Sequence, residues 1–192
     1  VDTEALNLYE NLEIHGALGV DRPFLRSRLR LGVAYNAQYI EPVAIRGVRP
    51  PGFESLFVSY GEVRAALDFR TGKNGKRDAA NPHSGIYLGT TIQAAGAGGD
   101  ARDLRIQPEL RAYAPISKEV TLGFRFTAGF LFPDNYGERL FGSDASCATS
   151  STGCQNQRAR DVQILQLRGF YSGGPGSNRG YNISVTSGGG GG

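Results

Sequence analysis

Val120-Thr121-Leu122-Gly123-Phe124-Arg125-Phe126-Thr127-Ala128-Gly129-Phe130-Leu131-Phe132 decides the fold. Every even position is apolar: Val120, Leu122, Phe124, Phe126, Ala128, Phe130 and Phe132. The odd positions hold Thr121, Gly123, Arg125, Thr127 and Gly129, with Leu131 the single exception. Successive side chains of an extended chain point to opposite faces, so this is a strand with one greasy and one polar side.

The same rule repeats backward along the chain. Leu104, Ile106, Leu110, Ala112, Ala114 and Ile116 oppose Arg105, Gln107, Glu109, Arg111 and Tyr113. From Leu25 to Tyr39, Leu29, Leu31 and Val33 oppose Arg26, Arg28 and Arg30. Phe57, Val63, Ala65, Leu67 and Phe69 oppose Tyr60, Glu62, Arg64, Asp68 and Arg70. Ile86 to Ala94 and Leu6 to Val20 carry weaker copies. Six antiparallel strands over residues 1–132 follow, and the helical period is nearly absent.

Length and chemistry separate the two all-β options. A sandwich strand averages five or six residues, whereas a tilted membrane strand needs about nine to eleven. The polar rows carry both signs of charge, which suits a wet lumen better than a dry core. Aromatics near the ends of the apolar rows (Tyr39, Phe57, Phe69, Phe130, Phe132) suit an interfacial girdle. A transmembrane β-barrel is the expected fold; a soluble antiparallel sheet, which also alternates, is the competing one. No apolar run is long enough for a membrane helix.

Connections alternate in length. Asp21-Arg22-Pro23 and Ser117-Lys118-Glu119 are short, while 42–52, 96–103 and 133–161 are long. Short turns would face the periplasm and long loops the exterior. The connection from Thr71 to Ser84 is long on the side expected to be short. Pro108 lies inside a strand pattern, where a bulge or a lost ladder bond is expected. The chain begins in mid-pattern at Val1-Asp2-Thr3 and ends in the glycine tail 188–192, as a piece of a longer protein would.

A net charge of +3 is too small to argue for nucleic acid. Cys147 and Cys154, in a Ser/Thr/Gly-rich segment, read as a small disulfide loop in an oxidising compartment, with two free thiols as the alternative. No histidine lies near them to make a zinc site, and no metal or other cofactor is implied. Neither His15 nor His83 has a nucleophile or carboxylate at catalytic spacing, so no catalytic residue is assigned. Gly96-Ala97-Gly98-Gly99-Asp100-Ala101 matches a dinucleotide fingerprint by letter, yet a strand pattern follows where a helix is needed.

Near the end stands Phe170-Tyr171-Ser172-Gly173-Gly174-Pro175-Gly176-Ser177-Asn178-Arg179-Gly180-Tyr181, a tight loop with one arginine at its tip. This stretch resembles the lid-loop signature of the BamA/TamA-type outer-membrane proteins that insert or translocate polypeptides. Leu67-Asp68-Phe69-Arg70 with Asn81-Pro82-His83-Ser84-Gly85 resembles the family's Asp-x-Arg…Pro-x-x-Gly strand–turn–strand. Arg111-Ala112-Tyr113-Ala114-Pro115-Ile116 resembles its Arg-x-Tyr-x-Pro-Leu strand end. Asn178 replaces the usual valine or isoleucine, and the insert Lys73-Asn74-Gly75-Lys76-Arg77 enlarges the turn.

The resemblance implies six central strands of a sixteen-stranded barrel, and a lid loop over 133–187 that folds inward. Periplasmic POTRA repeats and the barrel's outer strands are missing from this stretch. Arg179 would anchor the lid on an acidic inner-wall group, with Glu62, Asp68 and Glu109 as candidates. Gly173, Gly174 and Gly180 would free the backbone path, Tyr171 and Ser177 complete the motif, and Phe170 and Tyr181 would pack against the wall. Inner-wall charges would be Arg26, Arg28, Arg30, Glu62, Arg64, Asp68, Arg70, Arg105, Glu109, Arg111 and Arg125. Implied partners are the outer-membrane bilayer, unfolded outer-membrane protein clients and periplasmic accessory proteins, without nucleic acid. A two-partner secretion transporter and a passive channel are the alternatives, the latter because inward arginines attract anions.

Overall fold

A computed structural model describes residues 8–46, 54–137, 152–172 and 184–185. Seven strands form one antiparallel sheet: β1 (Leu8–Phe24), β2 (Leu29–Arg46), β3 (Leu56–Asp68), β4 (Gly85–Ala95), β5 (Asp103–Pro115), β6 (Thr121–Thr127) and β7 (Phe130–Pro133). Strand order follows chain order from β1 to β6, with β7 also on β5, so the described sheet is open at both ends. The chain divides into two compact units. One contains Ile14–Tyr39 and Phe57–Asp134; the other takes the remaining strand ends and the described residues from Asn135 onward.

Two strands differ from the sequence reading. β1 runs through Asp21-Arg22-Pro23 to Phe24, and the turn falls on Leu25–Arg28. Arg26 and Arg28 therefore belong to a turn and not to a strand row. Leu25, Arg26 and Ser27 all have positive φ, between 49° and 67°, and the Arg28 N–H bonds the Leu25 carbonyl at 3.2 Å. Such a turn normally selects Gly or Asn, so its residues gave no signal.

At Pro108 the ladder loses a bond and keeps its register. Glu109 pairs with Thr127 and Ile106 with Phe130, so β6 and β7 are one continuous line interrupted at Ala128-Gly129. The Ala128 N–H still reaches the Pro108 carbonyl at 3.2 Å. The reciprocal bond cannot form, since proline has no N–H to give.

The apolar rows line up across the sheet. Leu67, Leu88, Leu110 and Phe126 are consecutive partners, as are Val63, Ile92, Ile106 and Phe130. Among the described residues no layer covers this face: Leu18 is 81%, Phe124 55% and Phe126 54% exposed. Among the described residues the buried apolar side chains are few, chiefly Leu56, Val58 and Ile164. A soluble sandwich would hide these phenylalanines; a strand facing acyl chains would present them. The fold is an all-β antiparallel sheet consistent with a piece of a membrane barrel. Among the described residues no helix is long and apolar enough to cross a membrane.

The loop joining β4 to β5 is firmly held. The Asp100 N–H bonds the Phe57 carbonyl at 2.7 Å, while its carboxylate accepts the Phe57 N–H at 2.7 Å. Ser59 Oγ donates to the Ala97 carbonyl. A side chain at Gly99 would strike the Ser59 backbone nitrogen at 2.8 Å, which explains the glycine there.

In the other unit, Thr152–Arg168 forms a helix, α1, inside a segment that reads as loop in the sequence. Its residues are mostly good helix formers, and Arg168 suits the negative C-terminal end. Gln163 anchors it by two bonds to Glu54: its Oε1 accepts the Glu54 N–H at 3.2 Å, and its Nε2 donates to the Glu54 carbonyl at 3.3 Å. Cys154 is disulfide-bonded, whereas Cys147 lies outside the described residues.

Two outcomes follow from the sheet. Pro108→Val restores a donor to the Ala128 carbonyl and should stabilise the full-length barrel by about 1 kcal/mol in urea titration; an unchanged or lower midpoint would refute the lost-bond account. Phe126→Arg should cost about 2–4 kcal/mol of stability in bilayers; if it is neutral there, this face does not meet lipid.

Candidate functional site

The register brings charged residues from separate strands into common rows. Asp68, Tyr87, Arg111 and Arg125 are successive partners across β3, β4, β5 and β6. The next row is Ala66, Gly89, Glu109 and Thr127. A two-residue period along each strand makes this the face opposite the exposed phenylalanines.

Asp68 is the centre of the first cluster. Arg70 grips it as a fork, Nε to Oδ1 at 2.8 Å and Nη2 to Oδ2 at 3.0 Å. The Arg70 backbone N–H adds a bond to Oδ1, and Arg77 approaches Oδ2 at 3.5 Å. Both partners of the fork are nearly dry, with side chains 9% and 10% exposed. The remaining Arg70 Nη1 donates to the Ala79 carbonyl. Hydrogen bonding to Asp68 raises the Arg70 pKa above its already high ordinary value, so this guanidinium stays charged at any accessible pH.

The insert between β3 and β4 is built to deliver Arg77 and Ala79 to that cluster. Thr71 bridges both Arg77 and Ser84, and Asp78 Oδ1 accepts the N–H groups of Ala80 and Asn81. Its neighbour His83 shares a 2.6 Å hydrogen bond with Thr121 Oγ1. At the far end Gly85 has φ of 104° and lies against the Phe69 carbonyl, leaving no room for a Cβ.

Glu109 centres the second cluster. Its Oε1 accepts Arg111 Nε at 2.8 Å and Arg125 Nε at 2.6 Å. Tyr87 joins the two clusters, with the Arg70 guanidinium 4.9 Å and the Arg111 guanidinium 5.1 Å from its ring centre. The ring lies over Gly89, where a Cβ would meet the tyrosine oxygen at 2.8 Å. A third group links strands: Arg64 pairs with Glu62 at 3.0 Å and Asp21 at 3.3 Å, while Gln93 donates to Glu62 at 2.6 Å.

The first two clusters, with Asp21 and Arg64 of the third, line an open cavity of about 530 Å³. Seven arginines and three carboxylates face it, an excess of four positive charges. Arg30 reaches it from β2 and is exposed, with no hydrogen bond or ion pair among the described residues. Arg28 reaches it from the turn and lies 5.5 Å from the Phe69 ring centre. Arg105 sits opposite Gln93, one row away. Arg26 is exposed on the turn and does not line the cavity. The sequence signals missed Asp21, Arg77 and Tyr87, because only the register and the folded insert reveal what they touch.

A family model, the Omp85 superfamily domain, matches residues 9–187. The chain belongs to the Omp85 superfamily. No curated protein and no solved structure matches it significantly. Omp85 membership carries a general role in outer-membrane protein assembly or translocation. Omp85 proteins reside in the outer membrane of Gram-negative bacteria and work there with outer-membrane clients and accessory proteins, as assembly or transport factors rather than enzymes.

In this Omp85 chain the lid motif is framed by a two-stranded ribbon, β8 (Tyr171–Ser172) and β9 (Ser184–Val185). Tyr171 pairs with Val185 and Ser172 with Ser184. Phe170 is half-buried directly after α1. Gly173, Gly174, Ser177, Arg179, Gly180 and Tyr181 lie outside the described residues. Of the three carboxylates expected to receive Arg179, each already has two side-chain donors: Arg64 and Gln93 on Glu62, Arg70 and Arg77 on Asp68, Arg111 and Arg125 on Glu109.

Asp68→Asn strips a charge from the nearly dry Arg70 fork. The expected loss is about 3 kcal/mol, read as a lower unfolding temperature of the full-length barrel on semi-native gels. Stability equal to wild type would mean that the fork does not hold the wall together.

Proposed function

We propose that the whole protein is an assembly factor that inserts other β-barrel proteins into the outer membrane, without covalent chemistry. An open strand edge elsewhere in the barrel would template incoming strands by β-augmentation. The lid loop would hold the barrel's shape, with Arg179 anchored to a carboxylate on the inner wall. A guanidinium fork on a partly dried carboxylate supplies both strength and direction for such an anchor.

The observation that carries this reading is the span of the Omp85 match, which takes in the strands and the lid motif together over residues 9–187. Pairing of Ser172 with Ser184 supports it, since both ends of the motif are held at one place. The charges Arg30, Arg64, Arg105, Arg111 and Arg125, with their carboxylates, would be the polar lining of the lumen. An incoming Arg179 would have to displace an existing donor from Glu62, Asp68 or Glu109, so its anchor is better sought on another inner-wall acid.

The test is outer-membrane protein assembly in cells carrying full-length Arg179→Ala at wild-type expression. Assembled clients should fall several-fold while the barrel itself remains folded. Unchanged assembly would remove the lid from the mechanism. Loss of one secreted substrate, with general assembly intact, would move the protein to the two-partner secretion class.

A further inference from the structure

We propose that the arginine-rich cavity on the polar face is a binding site for a phosphate group. The inference rests on the cavity alone and does not need the assembly role. Seven arginines and three carboxylates line about 530 Å³, and with Glu62, which pairs with Arg64 from beside the lining, the local excess is three positive charges. The internal counter-charge is already committed. Asp68 serves Arg70 and Arg77, and Glu109 takes Arg111 and Arg125 on a single oxygen. Arg30 has no partner among the described residues, and the Arg125 side chain is 61% exposed. The lid-motif stretch 170–187 offers no counter-charge of its own, having no Asp or Glu.

The ligand chemistry follows from the residue type and the room available. All seven cations are arginines, and planar forks match the oxygens of phosphate two at a time. Carboxylates fit the same forks, but each brings one charge, and several would have to crowd into the cavity. A phosphate monoester places about −1.5 to −2 on one centre. The Arg70–Tyr87–Arg111 stack fixes two of the guanidiniums beforehand, which reduces the ordering cost of binding. Arg30 and Arg125 are the exposed groups that would meet the ligand. The phosphate could be borne by a soluble ester or by a lipid headgroup entering the lumen.

Calorimetric titration of inorganic pyrophosphate into the full-length protein in phosphatidylcholine nanodiscs tests the site. Saturable binding that weakens with salt is expected. Arg30→Gln and Arg125→Gln should each weaken it about tenfold, while Lys118→Gln, on the β5–β6 turn outside the cavity, should not. Nanodiscs containing phosphatidic acid distinguish the sources: a weaker apparent pyrophosphate affinity there supports the site with a lipid ligand, and an unchanged one supports it with a soluble ligand. No saturable binding, or wild-type affinity in both arginine variants, would overturn the proposal. So would a hexaglutamate peptide binding more tightly than pyrophosphate, which would mark an acidic-peptide site.

Discussion

A strand bathed in hydrocarbon must satisfy its backbone from within the sheet, because no water is present to accept or donate. That constraint organises the chain. It demands strands long enough to cross, continuous ladders between them, and apolar side chains on every second residue. From β3 through β7 the register never slips, even past Pro108. The sheet gives up one hydrogen bond there instead of inserting a residue. A bulge would have moved each residue beyond it to the opposite face, sending Arg105 toward lipid and Leu104 toward the lumen.

The same constraint concentrates polar chemistry on one side. With the outer rows given to leucine, isoleucine and phenylalanine, the charges of β3 through β6 share the inner surface. Arginines outnumber acids there, and they would repel one another if each stood alone. Sharing solves part of this: Asp68 takes both Arg70 and Arg77, Glu109 takes both Arg111 and Arg125, and Tyr87 offers its ring to Arg70 and Arg111. Gly89 is required for that arrangement, since any side chain would lift the tyrosine off the sheet. A glycine in mid-strand costs some β propensity, and here the stacked aromatic ring covers the gap it leaves.

Alternation made the strands and their faces legible before any coordinates. Phe124 and Arg125 could be assigned to opposite sides from their spacing alone. Three features were not legible, each for a physical reason. The Leu25–Arg28 turn uses left-handed residues with no Gly or Asn, so propensity pointed to Asp21-Arg22-Pro23. The helix Thr152–Arg168 has only a weak apolar stripe and sits among Ser, Thr and Gly, so its composition resembled a loop. The Asp68–Arg77 contact depends on how an insert folds back, which no period encodes. Arg179 was singled out by resemblance, and nothing local to that stretch identifies its partner.

The ribbon at the base of the lid adds a constraint that the motif alone lacks. With Ser172 and Ser184 paired, the intervening segment leaves and returns at one point. Arg179 stands five residues before Ser184, so chain length alone keeps its Cα within about 18 Å of the ribbon. A carboxylate that anchors this arginine would therefore lie within that radius plus the reach of its side chain, whatever path the glycines permit. Helix α1 ends three residues before β8, so its position and that of the ribbon are linked through a very short connection. The double amide bond from Gln163 to Glu54 fixes the helix to the chain just ahead of β3. The helix that leads into the ribbon is thus tied to the chain that leads into β3.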